Sequence, residues 1–137
     1  MTKVIMCGHG QLAHSMKESI EMVYGDVNYL LPISFEKLEG RDDLERKMRS
    51  LINPQDHVLI VVDLFGGSPF NAASSIALTT PDVEVIAGMS LPLCLELVDN
   101  RETLALPELV EHLVDVGMQC VKKLNKTVIS ETEEDFL

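Results

Sequence analysis

The sequence is poor in paired cysteines, in basic charge and in long apolar runs, and each scarcity excludes a class of protein. Its 137 residues include only three cysteines, which are widely spaced within apolar patterns: Cys7, Cys94 and Cys120. An odd number at such spacing predicts reduced core thiols of a cytosolic protein rather than a disulfide framework. No pair of them has the spacing of metal ligands. A chain of this length can bury one hydrophobic core without either kind of cross-link.

Basic residues are outnumbered two to one by acidic ones. Eleven lysines and arginines stand against 22 aspartates and glutamates, which gives a formal net charge of −11. Attraction to a phosphate backbone or to an anionic membrane surface depends on positive charge, so nucleic acid and membrane are excluded as expected partners. The acidity favours a role in solubility over attraction to a basic protein partner, since part of it lies in the C-terminal tail.

No apolar run in the sequence approaches the roughly 18 residues that a membrane-spanning helix requires. The N-terminus also lacks a basic region followed by a long apolar stretch, which is the pattern of a cleavable secretion signal. We therefore expect a cytoplasmic protein.

Short apolar runs alternate along the chain with stretches in which apolar residues recur at helical spacing. The run Val58 to Val62 is apolar throughout, as is typical of a central strand buried on both faces of a parallel sheet. Gly25 supplies a glycine stop signal after the first helical stretch. The pattern predicts strands at 4–7, 29–33, 58–62 and 83–87, and helices at 11–24, 44–52, from 68 onward, at 91–100 and at 107–124.

This alternation, with about thirty residues per unit and right-handed crossovers, predicts an α/β fold. The simplest doubly wound solution is a four-stranded parallel sheet of order 2-1-3-4, flanked by helices. Residues 1–130 are taken as one domain, with a last short strand at Thr127 to Ile129 and an acidic, mobile tail at 131–137. The switch point of such a sheet lies between strands 1 and 3, where ligands collect at the carboxyl ends.

His9 and Asp63 follow the two strands that flank this switch point. His9 lies between Gly8 and Gly10, where the surroundings are not built for packing, and Asp63 comes directly after the apolar run. A carboxylate beside an imidazole accepts the Nδ1–H, fixes the tautomer and stabilises positive charge on the ring. We therefore predict His9 as a catalytic nucleophile and Asp63 as its partner.

The glycine-rich run GGSPFN, residues 66–71, is predicted to bind an anion. Gly66 and Gly67 let backbone amides approach a phosphoryl group, and Ser68 adds a hydroxyl donor. Ser68 followed by Pro69 is also the pattern of a helix N-cap and first helical residue, and the helix dipole supplies roughly half a positive charge there. The predicted phosphate-binding residues are thus Gly66, Gly67 and Ser68.

The residues alone leave plainer interpretations open. His9 could be a loop imidazole satisfied by a carbonyl, Asp63 a cap of its own loop, and the glycine run an ordinary strand-to-helix turn. The other three histidines, His14, His57 and His112, are predicted to be solvated. No two histidines have ligand spacing, so no metal site is predicted.

Over essentially the whole chain to about residue 126, the sequence resembles the IIA domain of the mannose-class sugar phosphotransferase system. The resemblance is carried by the early His9-Gly10, by Asp63, by GGSPFNAAS at 66–74 and by VIAGMSLPL at 85–93. It implies a cytoplasmic phosphotransferase without a cofactor, which takes a phosphoryl group from the carrier protein HPr onto His9. The group then passes to a histidine of a IIB subunit and ends on a sugar imported through the membrane subunits IIC and IID.

The resemblance also implies roles for individual residues. Asp63 would hydrogen-bond the active imidazole, and Ser68 would lie near the phosphate. Members of the family dimerise by exchanging a C-terminal strand, which Thr127 to Ile129 would supply. Gly8 stands where a hydroxyl residue often precedes the active histidine, which removes one donor to the phosphate.

Three rival functions share some of these features. The phosphocarrier subunit that feeds dihydroxyacetone kinase resembles this domain, but a different sequence follows its third strand. A hydrolase using Ser68, His9 and Asp63 needs the sharp G-x-S-x-G elbow, which the run GGSP is not. A flavodoxin-like or receiver module would bind FMN or present paired acids after strand 1, where this chain has Cys7-Gly8-His9. The glycine run favours the sugar system.

Overall fold

The structure, a computed structural model, describes residues 1–127, in which strands and helices alternate up to the last two helices. Each strand is a short apolar run, and each helix carries an apolar stripe toward the sheet. The elements are β1 (Lys3–His9), α1 (Leu12–Tyr24), β2 (Leu30–Phe35), α2 (Arg41–Arg49), β3 (Val58–Val62), α3 (Gly67–Ala77), β4 (Val83–Ala87), α4 (Leu91–Asn100) and α5 (Leu106–Gly117).

The four strands form one parallel sheet of order β2-β1-β3-β4, as predicted. β1 and β3 are its central pair, and all five residues of β3 are buried, which explains its uninterrupted apolar sequence. Because β1 pairs with β2 on one side and with β3 on the other, the chain reverses its winding direction between β1 and β3. The switch point therefore lies where the sequence placed it.

Successive residues of β1 point to opposite faces of the sheet and contribute to two separate cores. Val4 and Met6 pack with α1, α4 and α5, whereas Ile5 and Cys7 pack with α2 and α3. By the same alternation His9 belongs to the face that α3 covers. The first turn of α3 and the His9 ring are thus brought to one side of the sheet.

The two edges of the sheet differ. The β2 edge carries Pro32, which has no N–H to donate, and the ammonium of Lys47 donates to the Ser34 carbonyl over 3.2 Å. Within residues 1–127, β4 pairs with β3 alone and has no strand on its outer side. No helix in this part of the chain is long and apolar enough to cross a membrane.

Several predicted boundaries were wrong. β1 extends through His9, and β2 spans Leu30–Phe35. Both strands run further than predicted because the last two residues of β2 pair with Gly8 and His9 of β1. The second helix ends at Arg49 rather than at residue 52. The last helix ends at Gly117 rather than at Leu124. Glycine is a poor helix former, and this effect outweighs the helical spacing of the apolar residues that follow it.

The predicted role of Ser68 as N-cap was also wrong. The helix α3 begins at Gly67, Gly66 is its N-cap, and no side chain caps it. Both glycines have positive φ, 126° and 82°, so the chain turns into the helix through backbone that other residues rarely adopt. The predicted strand at Thr127 to Ile129 and the tail at 131–137 fall outside the described residues, apart from Thr127 itself.

Candidate active site

The structure brings His9 and Asp63 into direct contact at the carboxyl ends of β1 and β3. Cys7 lies in register with Val62, so the residues that follow each of them are neighbours across the sheet. The His9 Nδ1 and the Asp63 Oδ2 are 2.8 Å apart. The same oxygen accepts a hydrogen bond of 2.9 Å from the His9 backbone amide. Asp63 therefore holds both the ring and the backbone of His9.

Asp63 is held in its ionised form. Burial on its own would raise the pKa of this carboxyl, but the hydrogen bonds from the His9 amide and ring, together with the charge of His9, hold its pKa below the ordinary value. Its second oxygen accepts a 3.0 Å hydrogen bond from the Leu64 amide. An ionised acceptor at Nδ1 fixes the proton on that nitrogen and leaves the lone pair on Nε2. The His9 side chain is 48% exposed, so this nitrogen is accessible.

The first turn of α3 lies against the open side of the imidazole. A Cβ atom built on Gly67 would lie 3.7 Å from Cε1 and 4.0 Å from Nε2 of His9, which shows how closely the backbone approaches the ring. Within residues 1–127 the amides of Gly67 and Ser68 donate no hydrogen bond, as is usual in the first turn of a helix. Oriented amides and the helix dipole favour an anion at this position.

Gly8 leaves room for Asp63. A Cβ atom at this position would lie 3.3 Å from the Asp63 Oδ2 and 3.3 Å from the Cβ of Leu12, closer than side chains normally pack. Gly8, which lacks a hydroxyl donor, thus also leaves space for the Asp63 carboxylate beside β1. Sequence reasoning noticed the missing hydroxyl but not this contact, which depends on the register of β1 and β3.

Phe35 is a neighbour of His9 that sequence reasoning missed. The two ring centroids are 5.3 Å apart with an interplanar angle of 69°. Phe35 is the last residue of β2 and lies in register with His9. The predicted strand ended at Ile33, two residues too early to show this pairing. The aromatic residue two positions after that apolar run was the signal that could have revealed it.

Two other groups near the site have properties that bear on its chemistry. Cys7 is buried two residues before His9, and burial, assisted by the charge of Asp63, raises the pKa of its thiol to about 12. It is therefore an inert thiol at neutral pH. Beyond Asp63, the exposed side chains of Leu64 and Phe65 form an apolar rim, and Phe65 packs on Phe70 at a centroid distance of 4.5 Å.

The remaining histidines lie away from this site. His112 contacts Glu96 through Nε2 at 3.0 Å on the surface of α4 and α5, and His57 is 3.7 Å from Asp82. His14, on α1, is half-buried. In the described part of the chain, no group of three or more histidine, cysteine, aspartate or glutamate side chains is arranged to hold a metal ion.

Comparison with known proteins agrees with this fold. The family model described as "PTS system fructose IIA component" matches residues 3–114. The chain therefore belongs to the mannose-class IIA components of the sugar phosphotransferase system (PTS).

Individual relatives cover nearly the whole chain. It is 43% identical over 122 residues to the sorbose-specific EIIA component of Klebsiella pneumoniae, covering 88% of this chain and 90% of the relative. It is 38% identical to the fructose-specific EIIA component of Bacillus subtilis, with full coverage of both. Among solved structures, the phosphotransferase system component EIIA from Streptococcus agalactiae superposes with a TM-score of 0.83 at 25% identity, covering 90% of this chain and 97% of that one.

Proposed function

We propose that this chain is a cytoplasmic phosphoryl-relay subunit of a sugar-importing PTS, which carries the phosphoryl group on Nε2 of His9. The donor is phosphorylated HPr, the acceptor is a histidine of a IIB subunit, and the group ends on a sugar imported through IIC and IID subunits. The observation that carries the proposal is the Asp63 contact at Nδ1, which leaves Nε2 as the exposed nucleophile. Membership of the family supports the choice of donor and acceptor classes.

In the first step, the lone pair of His9 Nε2 attacks the phosphorus atom of phospho-HPr. A bond forms between Nε2 and phosphorus as the bond to the nitrogen of HPr breaks, so no water or other co-reactant enters. The His9 ring keeps its Nδ1 proton and becomes positively charged, and the ionised Asp63 offsets that charge at 2.8 Å. In-line transfer between two nitrogens needs alignment and charge stabilisation above all, and we assign it no metal or cofactor.

The first turn of α3 supplies the stabilisation of the phosphoryl oxygens. The Gly67 and Ser68 amides have no partner among the described residues, and a Cβ atom built on Gly67 would lie 4.0 Å from Nε2. In a protein with a net charge of −11, oriented amides are the local means of attracting an anionic group. The Ser68 hydroxyl is assigned a supporting role as a further donor.

In the second step, a histidine nitrogen of the IIB subunit attacks the same phosphorus atom, and the bond to His9 Nε2 breaks. The reaction is the first step in reverse with a different partner, so the same groups of the site serve both. Two successive protein partners need an accessible nucleophile on a flat surface rather than a closed cleft. The exposed His9 ring and the apolar rim of Leu64 and Phe65 suit that requirement.

A homodimer formed by strand exchange is part of the proposal. Within residues 1–127 the outer edge of β4 is unpaired, and a strand that presents unpaired N–H and C=O groups is a place for another strand to add. The segment Thr127 to Ile129 of a second copy is proposed to pair there. Sedimentation of the full chain compared with a chain ending at residue 126 tests it: the full chain is expected to be a dimer and the shortened chain a monomer.

The experiment that tests the relay is intact-mass and tandem mass spectrometry after incubation with Enzyme I, HPr and phosphoenolpyruvate. The sample is kept alkaline, because phosphohistidine is labile in acid. One added phosphoryl group, located on His9, is expected. An unlabelled chain beside an active control IIA protein, or a label on another residue, would overturn the proposal and return Ser68 hydrolysis to consideration.

A further inference from the structure

We propose that Phe35 is a positioning residue that holds the His9 imidazole in its reactive orientation, an inference that rests on the proposed role of His9. The residue lies on a different strand from both members of the His9–Asp63 pair. Its ring is the aromatic neighbour of the imidazole, at 5.3 Å between centroids and 69° between planes. The contact is therefore edge-on, a favourable arrangement for two aromatic rings.

The register of the sheet makes this contact a fixed one. His9 pairs with Phe35 across β1 and β2, and the two side chains leave the sheet on the same face. One residue further on, the Gly10 amide donates a 3.0 Å hydrogen bond to the Phe35 carbonyl. The Gln11 amide group donates to the Glu36 carboxylate over 3.1 Å. The two chain segments are thus tied together on the far side of the contact as well.

Phe35 forms an apolar wall beside the His9 ring, next to glycines that contribute no side chain. Gly8, Gly10 and Gly67 surround His9 and have no side chains. Asp63 holds Nδ1, but one hydrogen bond to a ring nitrogen still allows the ring to swing about it. Phe35 blocks that swing from the β2 side, while a Cβ atom built on Gly67 would lie 3.7 Å from Cε1, so the α3 side of the ring is close to backbone. Nε2 is thereby aimed at the first turn of α3.

Loss of the aromatic wall should reduce the fraction of molecules whose ring is aligned. A side chain freed to sample about three staggered wells spends roughly a third of its time in the productive one. Near-attack alignment is needed at the moment of transfer, so the maximal rate falls with that fraction and with poorer alignment inside the well. Docking of phospho-HPr involves other surfaces and should change little. We expect a saturated transfer rate lower by about 3- to 10-fold, with less than a 2-fold change in the half-saturating concentration.

The variants separate positioning from packing. Phe35→Leu keeps an apolar side chain against the α2 and α3 core but removes the ring, and Phe35→Met provides the same comparison should the leucine variant not fold. Phe35→Tyr keeps the ring and is expected to restore the wild-type rate. Leu31→Ala is the matched control, because Leu31 lies on the same strand and packs in the same core, four residues from the contact.

Two measurements decide the proposal. Single-turnover transfer from phospho-HPr gives the rate and half-saturating concentration. Nitrogen-15 NMR of the unphosphorylated protein reports the His9 tautomer and ring mobility, and we expect one ordered Nδ1–H form in the wild type and averaged signals in Phe35→Leu. A wild-type rate with unchanged ring signals in Phe35→Leu, or an equal slowing in Leu31→Ala, would overturn the proposal. If the wild type accepts no phosphoryl group, the relay fails, and the NMR comparison still decides whether Phe35 positions the ring.

Discussion

Two histidine–carboxylate pairs within residues 1–127 lie at hydrogen-bond distance, and their surroundings differ more than their geometry does. The His9–Asp63 pair is 2.8 Å apart at the edge of the sheet, and the His112–Glu96 pair is 3.0 Å apart on the surface of α4 and α5. Asp63 is 11% exposed and accepts two backbone amides, whereas Glu96 is 36% exposed. The Nε2 of His112 is occupied by Glu96 and Asn100, and the Nε2 of His9 is not occupied within the described residues.

The comparison teaches that a histidine beside a carboxylate can act as a nucleophile only when its other ring nitrogen is unoccupied and accessible. At His9, that nitrogen has no partner among residues 1–127 and lies near Gly67, at the start of α3. At His112, Nε2 is itself the nitrogen that contacts the carboxylate, and it also contacts Asn100. Secondary structure explains this difference. Neighbouring parallel strands end at the same edge of the sheet and place their side chains beside the N-terminus of a helix, whereas side chains on two packed helices contact each other.

Removal of each histidine is the largest expected contrast. His9→Ala should abolish acceptance of a phosphoryl group from phospho-HPr, because the nucleophile itself is lost. His112→Ala should accept it at close to the wild-type rate, since its contacts lie within α4 and α5. Phosphate incorporation measured by intact mass decides this, and normal labelling of the His9 variant would end the relay proposal.

Neutralising each carboxylate comes next in size. Asp63→Asn keeps the shape but removes the charge that supports the imidazolium, and a charge-assisted hydrogen bond of about 1.5–3 kcal/mol corresponds to roughly 10- to 100-fold in rate. Glu96→Gln, the matched change at the other pair, should leave transfer unaltered. Single-turnover kinetics with circular dichroism as a check on folding measures both. Equal rates for Asp63→Asn and the wild type would remove Asp63 from the mechanism.

The two serines at helix starts provide a smaller contrast. Ser68 does not cap α3, so Ser68→Ala should slow transfer by about 2- to 10-fold through one lost donor while leaving thermal stability unchanged. Ser90 does cap α4, where its hydroxyl accepts from the Leu93 amide at 3.3 Å. Ser90→Ala should therefore cost about 1 kcal/mol of unfolding free energy with no effect on transfer. Complete loss of activity in Ser68→Ala, together with turnover of an activated ester by the wild type, would favour the hydrolase instead.

The smallest expected effect is a pH dependence of stability. The pKa of Asp63 is lower in the folded chain than its ordinary value of 3.8, because the hydrogen bonds and charge of His9 outweigh burial. The ionised carboxylate therefore stabilises the fold above pH 3.8, and that contribution is lost as the pH falls through the lower folded value.

The pH effect is measured by urea unfolding of the wild type and of Asp63→Asn between pH 2 and 7. The difference in unfolding free energy should be largest near neutral pH and shrink in acid. Glu96→Gln is the control, and its difference from the wild type should stay within about 0.5 kcal/mol throughout. A difference for Asp63→Asn that does not vary with pH would contradict the assigned cause.

The sheet was predictable because each strand is an apolar run that no helix pattern could explain. The five apolar residues Val58 to Val62 indicated a central strand, and the chain order of runs and stripes left 2-1-3-4 as the simplest winding. That order alone placed His9 and Asp63 at one edge. Their contact did not need to be recognised from spacing, since 54 residues separate them.

What could not be predicted depends on register and on backbone dihedral angles. The pairing of Phe35 with His9 follows from where β2 ends, which the apolar run alone does not determine. A side chain at position 8 would crowd Asp63, and this follows from the strand register in which Cys7 pairs with Val62. Ser68 has the sequence pattern of a cap, but positive φ at the two preceding glycines starts the helix earlier. Sequence pattern thus indicated the residues of the candidate site, and strand pairing determines how they are arranged.

Pro32 has a consequence for how large an assembly of this chain can grow. Polymerisation by strand addition requires two receptive edges on every copy, so that each newcomer offers a fresh one. Here the β2 edge lacks one N–H at Pro32, and Lys47 occupies the Ser34 carbonyl, which leaves β4 as the receptive side. A sheet that can be extended in one direction alone ends its own growth, so any pairing between copies through this edge would close as a finite complex instead of continuing into a fibre.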